Sequence, residues 1–129
     1  MPQTPSTLGL HLRYRTWIAE MNADITILRI FDDYLEGLSP AKTDTATRTA
    51  IDGFKKEFDS FRKEMEELKH EMHLLKMKLA ANTREEKSID KKLYVEDNHA
   101  ALQIRYTAFR KSFSKMKSDL ELIKDNWID

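Results

Sequence analysis

The sequence predicts an all-α protein: an antiparallel up-down-up bundle of three long helices with coiled-coil-like packing. Three observations carry the prediction. Charged residues make up 34% of the chain while Gly and Pro number only three each, the composition of long helices joined by few turns. Apolar residues recur at alternating spacings of three and four along three stretches, which is the period of one helix face. Only two short segments break that pattern, one around Gly37 to Pro40 and one at Asn82-Thr83. A chain of 129 residues fits one domain, here 1–129, with a core of moderate size.

Residues 1–7, with Pro2 and Pro5, read as a flexible arm in which Ser6 or Thr7 caps the first helix. That helix is predicted over about 8–37. Its seam is Leu10, Tyr14, Trp17, Met21, Leu28, Phe31, Leu35 and Leu38, with Asp24 taking one seam place. Ile18, Ile25, Ile27 and Tyr34 widen the stripe, as expected of a helix that meets two neighbours. Gly37 stands where a left-handed residue closes a helix, and Ser39-Pro40 blocks continuation.

The second helix is predicted over about 44–82, starting near Thr43 or Asp44. Its seam of Ile51, Phe54, Phe58, Phe61, Met65, Leu68, Met72, Leu75 and Leu79 alternates three and four without interruption, a coiled-coil-like signal. Gly53 is an interior defect of about 1 kcal/mol relative to Ala. Asn82-Thr83 reads as the second turn, with Thr83 and Glu86 spaced as a capping box.

The third helix is predicted over about 84–126, with a seam of Val95, His99, Leu102, Tyr106, Phe109, Phe113, Met116, Leu120, Ile123 and Trp127. Extended backward, that register meets Lys92 and Ser88, while Ile89 and Leu93 stand one place away. The shift predicts a kink or short break at Asp97-Asn98. At 1.5 Å per residue the first helix is roughly 45 Å long and the others roughly 57–65 Å. The pair of segments near 73–82 and 84–93 should therefore project past the start of the first helix.

Twenty-two basic and 22 acidic residues give zero net charge and are interspersed. That argues against whole-molecule attraction to nucleic acid or anionic lipid and gives little protection against self-association. Without cysteine the chain holds no disulfide and no thiolate metal site, and a reducing cytoplasm is the expected compartment. The opening Met1 to Pro5 lacks the basic and apolar regions of a signal peptide. No apolar run reaches membrane-spanning length.

Few residues point to chemistry. Glu67 and His70 have the three-residue spacing of di-iron carboxylate bundles, and His70 with His73 is a second metal pairing. With Leu68, Met72 and Leu75 on the seam, however, these residues face outward, and the histidines are three apart where the zinc helix motif needs four. The candidate polar core residues are Asp24, His99 and Tyr106. Levelling the three helices places Asp24 beside Tyr106, Phe58 and Phe61, and predicts an Asp24–Tyr106 hydrogen bond. It places His99 near Tyr14, Trp17 and Leu68. Single polar groups in a seam fix helix register, and that reading outweighs acid–base catalysis. The aromatics at Phe54, Phe58, Phe61, Phe109, Phe113, Trp17 and Trp127 read as core. Arg105, Arg110, Lys111, Lys115 and Lys117 read as an outward charged face of the third helix, interrupted by Asp119 and Glu121, with acidic residues of the second helix nearby. Ile30, Leu74, Met77, Ile104 and Leu122 fall off the seams; gathered on one side they would form a dimer patch.

The third helix also carries Asp97-Asn98-His99, Leu102, Arg105, Phe109-Arg110-Lys111, Phe113, Met116-Lys117 and Trp127. Together with Glu67-Leu68-Lys69-His70-Glu71 and the early His11, Trp17 and Glu20, this pattern resembles a group of small bacterial coiled-coil, helical-bundle proteins. The resemblance implies a helical bundle without assigned catalytic residues.

The expectation is a non-enzymatic bundle with no catalytic, cofactor or metal residues. It acts through protein–protein contact, as a homodimer or with another protein, and not through a membrane or nucleic acid. The alternatives are a metal- or small-ligand-binding bundle built on Asp24 and His99 and, more weakly, nucleic-acid binding along the third helix.

Overall fold

The computed structural model describes residues 7–38, 44–84 and 89–125, with side chains described for 9–38, 44–80 and 98–125. Three helices account for nearly all of it: α1 (Thr7–Gly37), α2 (Thr45–Arg84) and α3 (Ile89–Lys124). Side-chain pairings give their directions. Along α2, Lys55 meets Glu36 and Arg62 meets Asp32 of α1, so α1 and α2 run antiparallel. Between α2 and α3, Glu67 pairs with Arg105, and Phe61 packs against Phe109 and Phe113, again antiparallel. Pairs between α1 and α3 keep a constant separation of 85 or 86 residues, which makes those two helices parallel and in register.

The seams read from the sequence form the core. Tyr14, Met21, Leu28, Phe58, Met65, Leu68, Met72 and Phe113 are fully buried, and Leu10, Leu35, Phe54, Phe61, Leu75, Leu79, Leu102, Phe109, Met116 and Leu120 are nearly so. Ile18, Ile25, Ile27 and Phe31 pack against them from α1, the widened stripe of a helix that touches two partners. Burying each large apolar side chain contributes about 1.5–3 kcal/mol before the conformational entropy it loses is subtracted. Phe61 meets Phe109 and Phe113 edge-on, with centroids 5.9 and 5.4 Å apart, the arrangement that ring quadrupoles favour.

Asp44 starts α2. Its Oδ1 accepts the Thr47 amide at 2.7 Å and its carbonyl accepts the Arg48 amide at 3.0 Å, satisfying donors that a helix start leaves open. The Thr47 hydrogen bonds hold the Asp44 carboxyl below the usual carboxylate range.

Four boundary features differ from expectation. Thr7 already belongs to α1, so the arm is at most residues 1–6, which lie outside the described residues. Gly37 is the last residue of α1, and its φ lies outside the left-handed region. The helix closes instead through a tightened turn, with the Leu38 amide donating to the Leu35 carbonyl at 3.3 Å. At the second turn, α2 continues through Asn82 and Thr83 to Arg84, so Thr83 is not a cap; Glu86 lies outside the described residues. Neither Asn nor Thr breaks a helix, since each costs well under about 1 kcal/mol against Ala, and buried Leu79 anchors the preceding turn. Finally, α3 continues as one helix across Asp97-Asn98, so the short break expected there is absent. The seam places at Ser88 and Trp127 lie outside the described residues.

Candidate functional site: the polar seam between α1 and α3

The ion pairs that join α2 to its neighbours, Lys55–Glu36, Arg62–Asp32 and Arg105–Glu67, lie on side chains open to solvent in part or in full. The polar and aromatic contacts between α1 and α3 reach into the core. Among the described residues they contain both buried polar residues of the core, Asp24 and His99, which are 2% and 7% exposed.

His99 lies at the N-terminal end of this seam. Its Nδ1 is 2.9 Å from the Tyr14 hydroxyl, and its Nε2 is 3.4 Å from Nη1 of Arg13. Burial first, and then the Arg13 charge, push the imidazole pKa down, while the Gln103 side chain works the other way. His99 is therefore held as a neutral imidazole. Burial also pushes the Tyr14 hydroxyl up to about 12. Trp17, half-buried, fills the groove: its ring stacks on His99 at 6.1 Å and 7° and on Tyr106 at 4.7 Å and 26°.

Farther along, the Tyr106 hydroxyl donates to Glu20 Oε1 at 2.7 Å and approaches the Trp17 carbonyl at 3.4 Å. Burial and the Glu20 hydrogen bond raise its pKa well above the usual phenol range. One helical turn on, Arg110 donates to Asp24. The Asp24 carboxyl is nearly inaccessible while the Arg110 side chain is one-third exposed, so the guanidinium reaches inward from the edge and keeps contact with water. Its carbon centre also lies 5.9 Å from the Tyr106 and Phe113 ring centroids, within cation–π range. Burial pushes the Asp24 carboxyl above its ordinary value, and the Arg110 charge and hydrogen bond offset only part of that.

The structure thus brings Asp24, His99 and Tyr106 into one seam but pairs them differently from the sequence expectation. The Tyr106 hydroxyl bonds to Glu20, not Asp24, because Glu20 is one turn earlier on α1 and at the level of Tyr106. His99 lies with Tyr14 and Trp17, as levelling predicted. Arg13, Glu20 and Arg110 were missed as site residues, since all three flank the seams. Arg110, expected on an outward charged face, turns into the seam. The readable signal is a pair of four-residue ladders, Glu20/Asp24 on α1 and Tyr106/Arg110 on α3, which face each other when parallel helices are in register.

The other candidates stay apart from this seam. Glu67 is exposed and bridges to Arg105 at 3.6 Å across the α2–α3 edge, and His70 and His73 are exposed on α2. Lys115 pairs with Asp119 at 3.4 Å. Among the described residues, no three His, Cys, Asp or Glu side chains gather as a metal-binding group. No helix among them is long and apolar enough to cross a membrane. No family model, curated protein or solved structure matches the chain.

The polar groups of the seam bond to neighbours across it. Chemically, the arrangement cross-links α1 to α3 at a fixed register, with the Trp17 ring lying between His99 and Tyr106.

Proposed function

We propose that this chain is a non-enzymatic helical scaffold of the cytoplasm, akin to the small bacterial coiled-coil proteins it resembles, that works by presenting a rigid helix face to protein partners. One observation supports this above others. On the side of α3 turned from the core, Ile104 is 72% exposed and sits in a shallow depression lined by Ala100, Gln103, Thr107, Ala108 and Lys111. A large apolar side chain flanked by small ones on a stiff helix is the form of a helix-packing surface, with an anchor and room for a partner backbone. The other exposed apolar residues are Leu12 and Ile30 on α1, Leu74 and Met77 on α2 and Leu122 near the end of α3; exposed apolar residues standing singly are ordinary.

Site-specific photo-crosslinking in cells tests the reading. A photoreactive residue at position 104 should yield a discrete protein adduct, and the same residue at Leu12, also well exposed, should not. No adduct at 104, or equal labelling from both positions, would remove the support.

A further inference from the structure

The groove between α1 and α2 carries a row of cations, and their neutralisation stops at one end. Seven-residue steps hold along both helices: Tyr14, Met21, Leu28 and Leu35 are buried on α1, and Phe54, Phe61, Leu68 and Leu75 on α2. Side chains a heptad apart therefore take equivalent places along the groove. Lys55 of α2 pairs with Glu36 of α1 across it. Heptad steps onward from Lys55 reach Arg62, Lys69 and Lys76, and heptad steps back from Glu36 reach Arg29, Asn22 and Arg15. Arg62 is answered by Asp32 and Asp59, and Lys69 by Glu66. Lys76 repeats the place of Lys55, but the place of Glu36 opposite it belongs to Arg15. Among the described residues neither Arg15 nor Lys76 has an ion pair.

The surroundings keep this end cationic. His11 lies one turn before Arg15 on α1, and His73 one turn before Lys76 on α2. From Thr7 to Ala19 the α1 sequence has no acid, and from Leu68 to Arg84 α2 has only Glu71. Glu71 follows Glu67 by one turn, on the edge where Glu67 meets Arg105 of α3, and so belongs to the other side of α2. His11 and Lys76 are half-buried, while Arg15 and His73 are exposed, so the four line the mouth of the groove. Like charges set opposite each other oppose the packing of α1 on α2 until an anion joins them.

We propose that this end of the α1–α2 groove binds a compact, soluble anion that carries adjacent phosphate groups. Arg15 takes one phosphate through its fork of N–H donors, and Lys76 meets the next as a point charge. Ring N–H groups of His11 and His73 donate from the flanks. Helices packed about 8–10 Å apart place the two cations within the span of linked phosphates. The charges farther along select a compact ligand. The heptad row that contains His73 continues as Glu66, Asp59 and Asp52, all exposed, so a nucleic-acid backbone or an anionic bilayer laid along this face would be repelled there. The site is apart from Ile104, and the inference stands independently of the scaffold reading.

Isothermal titration calorimetry of the full chain with inorganic tripolyphosphate, at neutral pH and low salt, tests the proposal. Wild type should bind the anion, with an affinity that falls as salt rises. Arg15→Gln and Lys76→Gln should each weaken binding about tenfold, the size of one charge-assisted contact. Lys56→Gln, at an exposed position near the other end of α2, should change it less than about twofold. Thermal melts give a second readout. Without anion both site variants should melt at or above the wild-type temperature, because a like-charge contact is relieved; tripolyphosphate should raise the wild-type Tm and leave theirs nearly unchanged. A wild type that binds no tripolyphosphate at millimolar concentration, site variants that bind as wild type does, or a Lys56→Gln loss equal to that of Arg15→Gln each overturns the inference. In flotation with vesicles containing phosphatidic acid the wild type should stay unbound. Capture by the vesicles that is lost in Arg15→Gln would put the phosphates on a lipid surface and overturn the choice of a soluble ligand.

Discussion

Replacing Arg110 by Met removes the cation from a carboxylate that cannot reach water, because Asp24 is only 2% exposed. Leaving a buried charge without its partner costs about 3–5 kcal/mol, but the carboxyl has an escape, which is to take up a proton. Neutralising a group with an ordinary pKa near 3.9 costs about 1.4 kcal/mol per pH unit, so the penalty is capped at about 4 kcal/mol at pH 7 and about 1.5 kcal/mol at pH 5. Loss of the contacts with the Tyr106 and Phe113 rings adds about 1 kcal/mol that does not vary with pH. Urea denaturation of wild type and Arg110→Met at the two pH values should therefore show a destabilisation of about 4–5 kcal/mol at pH 7 that shrinks to about 2–3 kcal/mol at pH 5. The signs agree: burial raises the Asp24 carboxyl, so its neutral form is favoured in the folded state, and loss of Arg110 raises it further. The double variant Asp24→Leu/Arg110→Met should recover most of the loss, as apolar pairs that replace buried ion pairs generally do. A loss independent of pH would refute the reasoning, because it would mean that Arg110 acts by packing alone.

His99 is held neutral, with its pKa depressed in the folded state; its stabilisation is complete above about pH 6.5 and is lost as pH falls through the folded value. Tm should fall on acidification below pH 6.5, and His99→Phe should flatten that part of the profile; an unchanged profile in the variant would assign the slope to other groups. Gly53 lies exposed within α2, a Cβ there meets nothing within 4 Å, and Gly53→Ala should raise stability by about 1 kcal/mol in urea unfolding. Gly37→Ala should also be tolerated, because Gly37 is not left-handed; a clear drop in Tm would show that it is. Phe113→Ala, at a fully buried ring packed between Phe61 and Phe109, should cost about 3–5 kcal/mol; less than about 1 kcal/mol would contradict its place in the core.

The fold was legible wherever side-chain size and spacing alone decide the outcome. The unbroken seam from Ile51 to Leu79 specifies one buried face with no competing register, and every seam residue from Phe54 onward is buried. Asp24 and His99 were visible as polar interruptions for the same reason. What the pattern does not contain is reach. Arg110 and Glu20 occupy seam edges, where a long side chain turns either to water or inward according to what the neighbouring helix offers. The Tyr106 hydroxyl went to Glu20 because a helix-turn offset of about 5–6 Å decides which of two acids it meets, and levelling through tight turns does not resolve one turn. The second turn misled because Asn82-Thr83 looks like punctuation but costs little inside a helix already anchored by Leu79.

The division of labour among the interfaces argues that specificity is concentrated between α1 and α3. Greasy contacts hold α2 to both partners, and such contacts tolerate sliding by a heptad, because Phe, Leu and Met recur at equivalent places. A parallel pair of helices cannot slide that way while Tyr14 holds His99, Glu20 holds Tyr106 and Asp24 holds Arg110, since a one-heptad shift would separate all three pairs at once, and breaking a buried pair costs several kcal/mol. The polar seam thus selects one alignment among many that the apolar seams alone would accept.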